Sequence, residues 1–233
     1  MAGDSSAPSK ATARVAGVLY LLSGLSGVYS YVYLPTAFIV PADGRATAAR
    51  IASRPIAYNL GIVADIVGQI LLVWCVLALY ALFRDTNRSH ARLMVVFVVL
   101  AAAVQFANAF NLLAPTVLLS GTDYLSPFSA PQVDALALAF LRLRVTGMLV
   151  TQVFWGLWLL PFGLLVMRSG FIPRILGAAL IVAAAGYLLA TASYFLIPVH
   201  GHIVTHVALP VGGAAETAMI VWLIVKGVRS RAA

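Results

Sequence analysis

The chain has 233 residues, of which 62% are apolar and only 9% charged, with a formal net charge of +8. A soluble domain carries roughly 25% charged residues, so this composition excludes an ordinary soluble protein. The positive charge sits beside apolar segments and is assigned to membrane topology, not to nucleic acid.

A bilayer core of roughly 30 Å needs about 20 apolar residues per helix, and six such spans with short loops use nearly the whole chain. The polar segment 1–14 is a cytoplasmic tail ahead of a first apolar run at 15–40. That run exceeds the roughly 7–15 apolar residues of a secretory signal, so it is an uncleaved span. Residues 41–55 are expected as a loop with proline, glycine and three arginines, followed by a second span at 56–83. RDTNRSHAR at 84–92 breaks the pattern, and a third span covers 93–119. A turn-rich stretch comes next, in which Ser129 and Gln132 have capping-box spacing and Pro131 suits a first helical turn.

The next helix is predicted over 131–167. At 1.5 Å per residue it would reach roughly 55 Å, more than one crossing needs. Its first part is therefore expected to protrude or to break near Gly147, with Pro161 kinking its far end. RSGFIPR at 168–174 is a tight turn, a fifth span covers 175–197, and a loop at 198–206 precedes the sixth at 207–225. The basic tail 226–233 closes the chain, so 15–225 forms one six-helix membrane domain. The single cysteine, Cys75, allows no intramolecular disulfide and reads as a small buried hydrophobe.

Charge asymmetry orients the spans. With the N-terminus inside, the inner segments hold Lys10, Arg14, Arg84, Arg88, Arg92, Arg168, Arg174, Lys226, Arg229 and Arg231, against Arg45, Arg50, Arg54, Arg142 and Arg144 outside. The excess places both termini in the cytoplasm of a bacterial inner membrane.

Residues 152–187 carry Phe154, Gly156 and Gly163, then Arg168-Ser169-Gly170-Phe171-Ile172-Pro173-Arg174, Leu176-Gly177 and Gly186-Tyr187. With the opening Arg14-Val15-Ala16-Gly17, Leu19-Tyr20-Leu21-Leu22 and the region around Asp65, this pattern resembles the DUF4386 family over essentially the full length. The resemblance implies a multi-pass helical membrane protein and brings no activity, cofactor or catalytic residue. Physically, Gly170 supplies a positive φ after a helix end and Pro173 begins the next helix.

Chemistry is sought where ionisable groups lie inside spans, since each costs roughly 2.5–3.5 kcal/mol on insertion scales. Asp65 and Glu216 lie nine residues into the second and sixth spans, roughly 13 Å deep at 1.5 Å per residue, which permits a shared site. Gln69 is one turn from Asp65. Asn108 and Asn111 continue a stripe from Gln105 on the third span, and Gln152, Tyr187, Thr191 and Tyr194 add polar groups on the fourth and fifth. Arg142 and Arg144 are the nearest counter-charges, and their spacing turns only one of them inward. The outward-facing pocket is thus drawn with Asp65, Gln69, Asn108, Asn111, Arg142, Gln152 and Glu216. The competing account is interhelical hydrogen bonding, at roughly 0.6–2 kcal/mol each.

For His200, His202 and His206 at a helix entry three readings stand side by side: a nitrogen ligand set for a metal, with Glu216 or Asp65 completing it, a pH-responsive outer face, and an ordinary polar loop. Tyr29, Tyr31, Tyr33, Tyr124 and Trp222 read as interfacial anchors. HExxH, GxSxG, GxxxxGK[ST] and GxGxxG do not occur. Three functions stay open: binding or transport of a small molecule, lipid or ion; a membrane-embedded enzyme, with or without metal; and a non-catalytic subunit of a membrane complex. Membrane lipid is the one certain partner, and the pattern specifies neither a cofactor nor an oligomeric state.

Overall fold

The computed structural model describes residues 9–197 and 201–228, without the side chains of 124, 201–203 and 205. The protein is all-α, with no strand among the described residues. Six helices are long and apolar enough to cross a membrane: Lys10–Phe38, Pro55–Phe83, Arg88–Leu118, Ala130–Ser169, Arg174–Leu196 and His206–Val225. The first is composite. Helix α1 (Lys10–Gly27) passes through a π-helical segment, Val28–Tyr33, into α2 (Leu34–Phe38).

The segment expected as a loop at 41–55 contains a further helix, α3 (Gly44–Ser53). Asp43 caps it by accepting the Ala46 N–H at 2.8 Å, which satisfies one of the donors a helix start leaves open. The arginines of this segment also have local work. Arg54 and Arg50 donate to the Ala37 carbonyl at 2.9 and 3.5 Å, and the Arg54 guanidinium lies 4.8 Å over the Phe38 ring. Both cations thereby meet the negative end of α2.

Helix α4 (Pro55–Phe83) and helix α5 (Arg88–Leu118) join through a turn in which the Asn87 side chain accepts the His90 N–H at 2.9 Å. Helix α6 (Ala130–Ser169) runs 40 residues. Its start shows half of the expected capping box: the Gln132 side chain accepts the Ser129 N–H at 2.8 Å, while the Ser129 hydroxyl donates to the same Oε1 at 3.0 Å. The expected break near Gly147 does not occur, because that glycine serves close packing. A Cβ there would lie 2.6 Å from Asn108 Oδ1. Gly170 adopts φ +73° and Pro173 caps helix α7 (Arg174–Leu196), as the turn chemistry predicts. Helix α8 (Gly201–Val225) begins earlier than the expected span.

The described residues form two compact units. Of the described residues, one draws on segments 9–22, 71–102, 151–197 and 201–228, the other on 23–70 and 103–150. The first holds a large apolar core around Leu79, Phe83, Trp158, Leu159 and Phe162, with Trp158 stacked on Phe162 at 5.3 Å and Phe83 edge-on to Phe162 at 5.8 Å. The second has a smaller core of Leu34, Phe38, Ile51, Tyr58, Ile62, Leu112 and Leu141, leaving much of its interior to polar side chains.

Candidate functional site

The polar interior of the second unit is built around Asp65, on α4, which is 2% exposed. Three donors converge on its Oδ1: Arg144 Nη2 at 2.8 Å, Gln105 Nε2 at 2.9 Å and Ser30 Oγ at 3.3 Å. The Asp65–Arg144 ion pair is almost fully enclosed, with side-chain exposures of 1% and 5%. A buried charge is tolerated only when paired and hydrogen-bonded, and each partner here supplies the other's compensation. Arg144 comes from α6, Gln105 from α5, and Ser30 from the π-helical segment.

That segment gives the first span its place in the site. A π turn carries one more residue than an α turn and is found often at functional positions. Here it carries both Ser30 and Tyr31. The Tyr31 hydroxyl accepts from Gln69 Nε2 at 2.7 Å. Its ring lies 5.3 Å from the Arg144 guanidinium carbon, within reach of a cation–π contact. Tyr31, expected as an interfacial anchor, is therefore part of the site.

The counter-charge to Asp65 is Arg144, while Arg142 is exposed. Two residues apart on a helix are separated by about 200°, so placing one inward turns the other out. The signal that singles out Arg144 is its stripe. Arg144, Gly147 and Thr151 share a helix face of small and polar residues, whereas Arg142 shares its face with Val145 and Leu149.

Two nitrogens of the buried guanidinium, Arg144 Nε and Nη1, have no hydrogen-bond partner among the described residues, and neither does Gln69 Oε1. Gln69 is 3% exposed and Arg144 4%. The uncommitted donors belong to the ion-pair partner of Asp65, and the uncommitted acceptor lies one helical turn from Asp65 on α4. Asn108 and Asn111 contribute differently. Asn108 Nδ2 donates to the Arg144 carbonyl at 3.0 Å and Asn111 Nδ2 to Asn108 Oδ1 at 3.0 Å, so these amides fasten α5 to α6 beneath the ion pair.

In the same unit a cavity of about 210 Å³ is lined by Pro55, Tyr58, Asn59, Pro115 and Thr116. Tyr58 is fully buried and donates to the Leu112 carbonyl at 2.8 Å. It precedes Asp65 by two turns on α4, about 10 Å along the axis.

The other predicted site residues, Gln152 and Glu216, belong to the first unit. Gln152 Nε2 donates to the Tyr187 carbonyl at 3.1 Å. Glu216 accepts from the Tyr187 hydroxyl at 2.6 Å through Oε1 and from the Tyr20 hydroxyl through Oε2. Asp65 and Glu216 thus have separate sets of partners. Of the histidine cluster, His200 and the side chain of His202 lie outside the described residues, and His206 is exposed. Among the described residues no group of three or more His, Cys, Asp or Glu side chains could hold a metal.

Six apolar spans and a buried arginine–carboxylate pair define a multi-pass helical membrane protein with a polar site in its interior. A family profile described as a domain of unknown function, DUF4386, matches residues 15–227, and the chain belongs to that family. No curated protein and no solved structure matches it.

Proposed function

We propose that this protein binds, and through binding moves, a small molecule or lipid headgroup bearing an anionic or carbonyl oxygen, at the Arg144–Asp65–Gln69 cluster. The observation that carries this reading is the uncommitted Arg144 Nε and Nη1 beside the uncommitted Gln69 Oε1. A buried donor without a partner forfeits about 1–3 kcal/mol, which a ligand oxygen recovers on binding. Asp65 holds the guanidinium in place through Nη2, leaving the other two nitrogens for the ligand. The cavity lined by Tyr58 lies in the same unit, two helical turns before Asp65 on α4. With both termini cytoplasmic, as the distribution of basic residues favours, the segments 39–54 and 119–129 face outward, and the cavity lies at that end of α4.

Native mass spectrometry of the detergent-purified protein tests this against Arg144→Lys. Lysine keeps a charge opposite Asp65 but loses the planar set of donors. A co-purifying mass that disappears in Arg144→Lys and in Gln69→Leu is the expected result. Wild-type protein without a bound mass, or a mass unchanged in both variants, would overturn the proposal.

A further inference from the structure

Asp65 and Glu216 lie deep within their spans, and their surroundings differ. Asp65 has an arginine. Glu216, on α8 and partly buried, has no ion-pair partner among the described residues. Its neighbours are two phenols on two other helices. Tyr20, on α1, is 4% exposed and donates to Oε2, and Tyr187, on α7, is 8% exposed and donates to Oε1. Leaving an unpaired carboxylate charge in a membrane span is costly.

The phenols are held on the carboxylate by their surroundings. Tyr187 reaches Glu216 by crossing α8 at Gly212, one turn earlier. A Cβ at Gly212 would stand 2.6 Å from the Tyr187 hydroxyl, so only glycine leaves the path clear. Gln152 grips the Tyr187 carbonyl. The Tyr20 ring packs edge-on to Trp158 at 5.6 Å. Cys75, on α4, is buried in the same unit, and its thiol donates to the Ala16 carbonyl, one turn before Tyr20, at 3.4 Å. No lysine, arginine or histidine among the described residues joins the cluster.

We infer that Glu216, clamped between Tyr20 and Tyr187, is a reversible proton-binding site within the sixth span. A phenol hydroxyl serves as donor or acceptor, so the clamp fits both states of the carboxyl. In the ionised state both phenols donate, one to each oxygen. When a proton arrives from water it resides on one carboxyl oxygen, and that O–H donates to the facing phenol oxygen, whose own hydrogen rotates aside. The second phenol continues to donate to the carbonyl oxygen. One proton is taken up, no heavy atom moves, and the span loses its negative charge. This site is independent of the one assigned to Arg144, and either stands without the other.

Infrared difference spectroscopy of the full chain in lipid bilayers, stepped between acidic and alkaline buffer, reads this directly. The expected result is a protonated-carboxyl band that appears and disappears reversibly and is lost in Glu216→Gln. Tyr20→Phe and Tyr187→Phe each remove one donor from the ionised form, so each shifts the band and the midpoint of its titration. Gly212→Ala, which displaces Tyr187, reproduces the Tyr187→Phe shift. A band unaltered in Glu216→Gln, or absent from wild type, overturns the inference. Should Glu216→Gln fail to fold, a titration midpoint unmoved by both phenylalanine variants overturns it equally.

Discussion

Arg144 and Arg142 carry the same charge two positions apart, yet one is 4% exposed and the other faces out. The difference lies in what each loses on removal. Truncating one partner of a buried ion pair leaves the other uncompensated, at about 3–5 kcal/mol. Asp65→Asn is therefore expected to destabilise the protein by about that amount in detergent unfolding, while Arg142→Gln stays within about 0.5 kcal/mol. The double variant Asp65→Asn/Arg144→Gln is expected to lose less than the two single losses added, because residues in one network do not act independently. Additive losses would show that the pair is not coupled. Gly147 belongs to the same scale. A methyl there meets Asn108 Oδ1 at 2.6 Å, so Gly147→Ala should cost about 1–3 kcal/mol as an overpacking change, read in the same unfolding assay.

At the scale of elements, the π segment decides what the first span contributes. Deleting Val32 removes the extra residue, restores α geometry and turns α1 by about 100° relative to α2. Ser30 is then expected to leave Asp65 and Tyr31 to leave Arg144. Hydrogen bonds to charged groups are worth about 1.5–3 kcal/mol, so the deletion should exceed the loss from Ser30→Ala, which removes one contact only. Equal losses would mean that the π turn does not set the register. Among the elements, the six spans, the Ser129–Gln132 contact and the turn at Gly170 were legible in the sequence, since each rests on local chemistry. Helix α3 was not, because its 10 residues sit in a proline-, glycine- and arginine-rich stretch. Asp43 as cap and the arginines on the Ala37 carbonyl supply what apolar periodicity does not. The continuity of α6 past Gly147 was likewise hidden, since a glycine that breaks a helix and one that admits a neighbour look alike in sequence.

For the whole molecule the open quantity is orientation, and the sequence offers a clean route to it. Cys75 is the single cysteine and is buried. Cysteines placed at the exposed positions Arg45 and Asp123 are expected to react with a membrane-impermeant maleimide on intact cells, and one at exposed Asp85 only after lysis. The reverse pattern would invert the assignment of inside and outside.

Apolar content, span lengths and turn chemistry were determined by the sequence alone, because a bilayer demands about 20 apolar residues per crossing however the helices then pack. The ionisable residues inside spans were legible for the same reason, as costly exceptions to an apolar rule. Which of them meet was decided only by the tertiary structure. In helices apolar on every side, periodicity barely separates a lipid-facing from a buried side, so the choice of Arg144 over Arg142 rested on small and polar neighbours. The recruitment of Ser30 and Tyr31 depended on a π turn, and Glu216 found one phenol on the preceding helix and one on the first span. Contacts between residues 79 or 196 positions apart are set by helix packing, which no local pattern encodes.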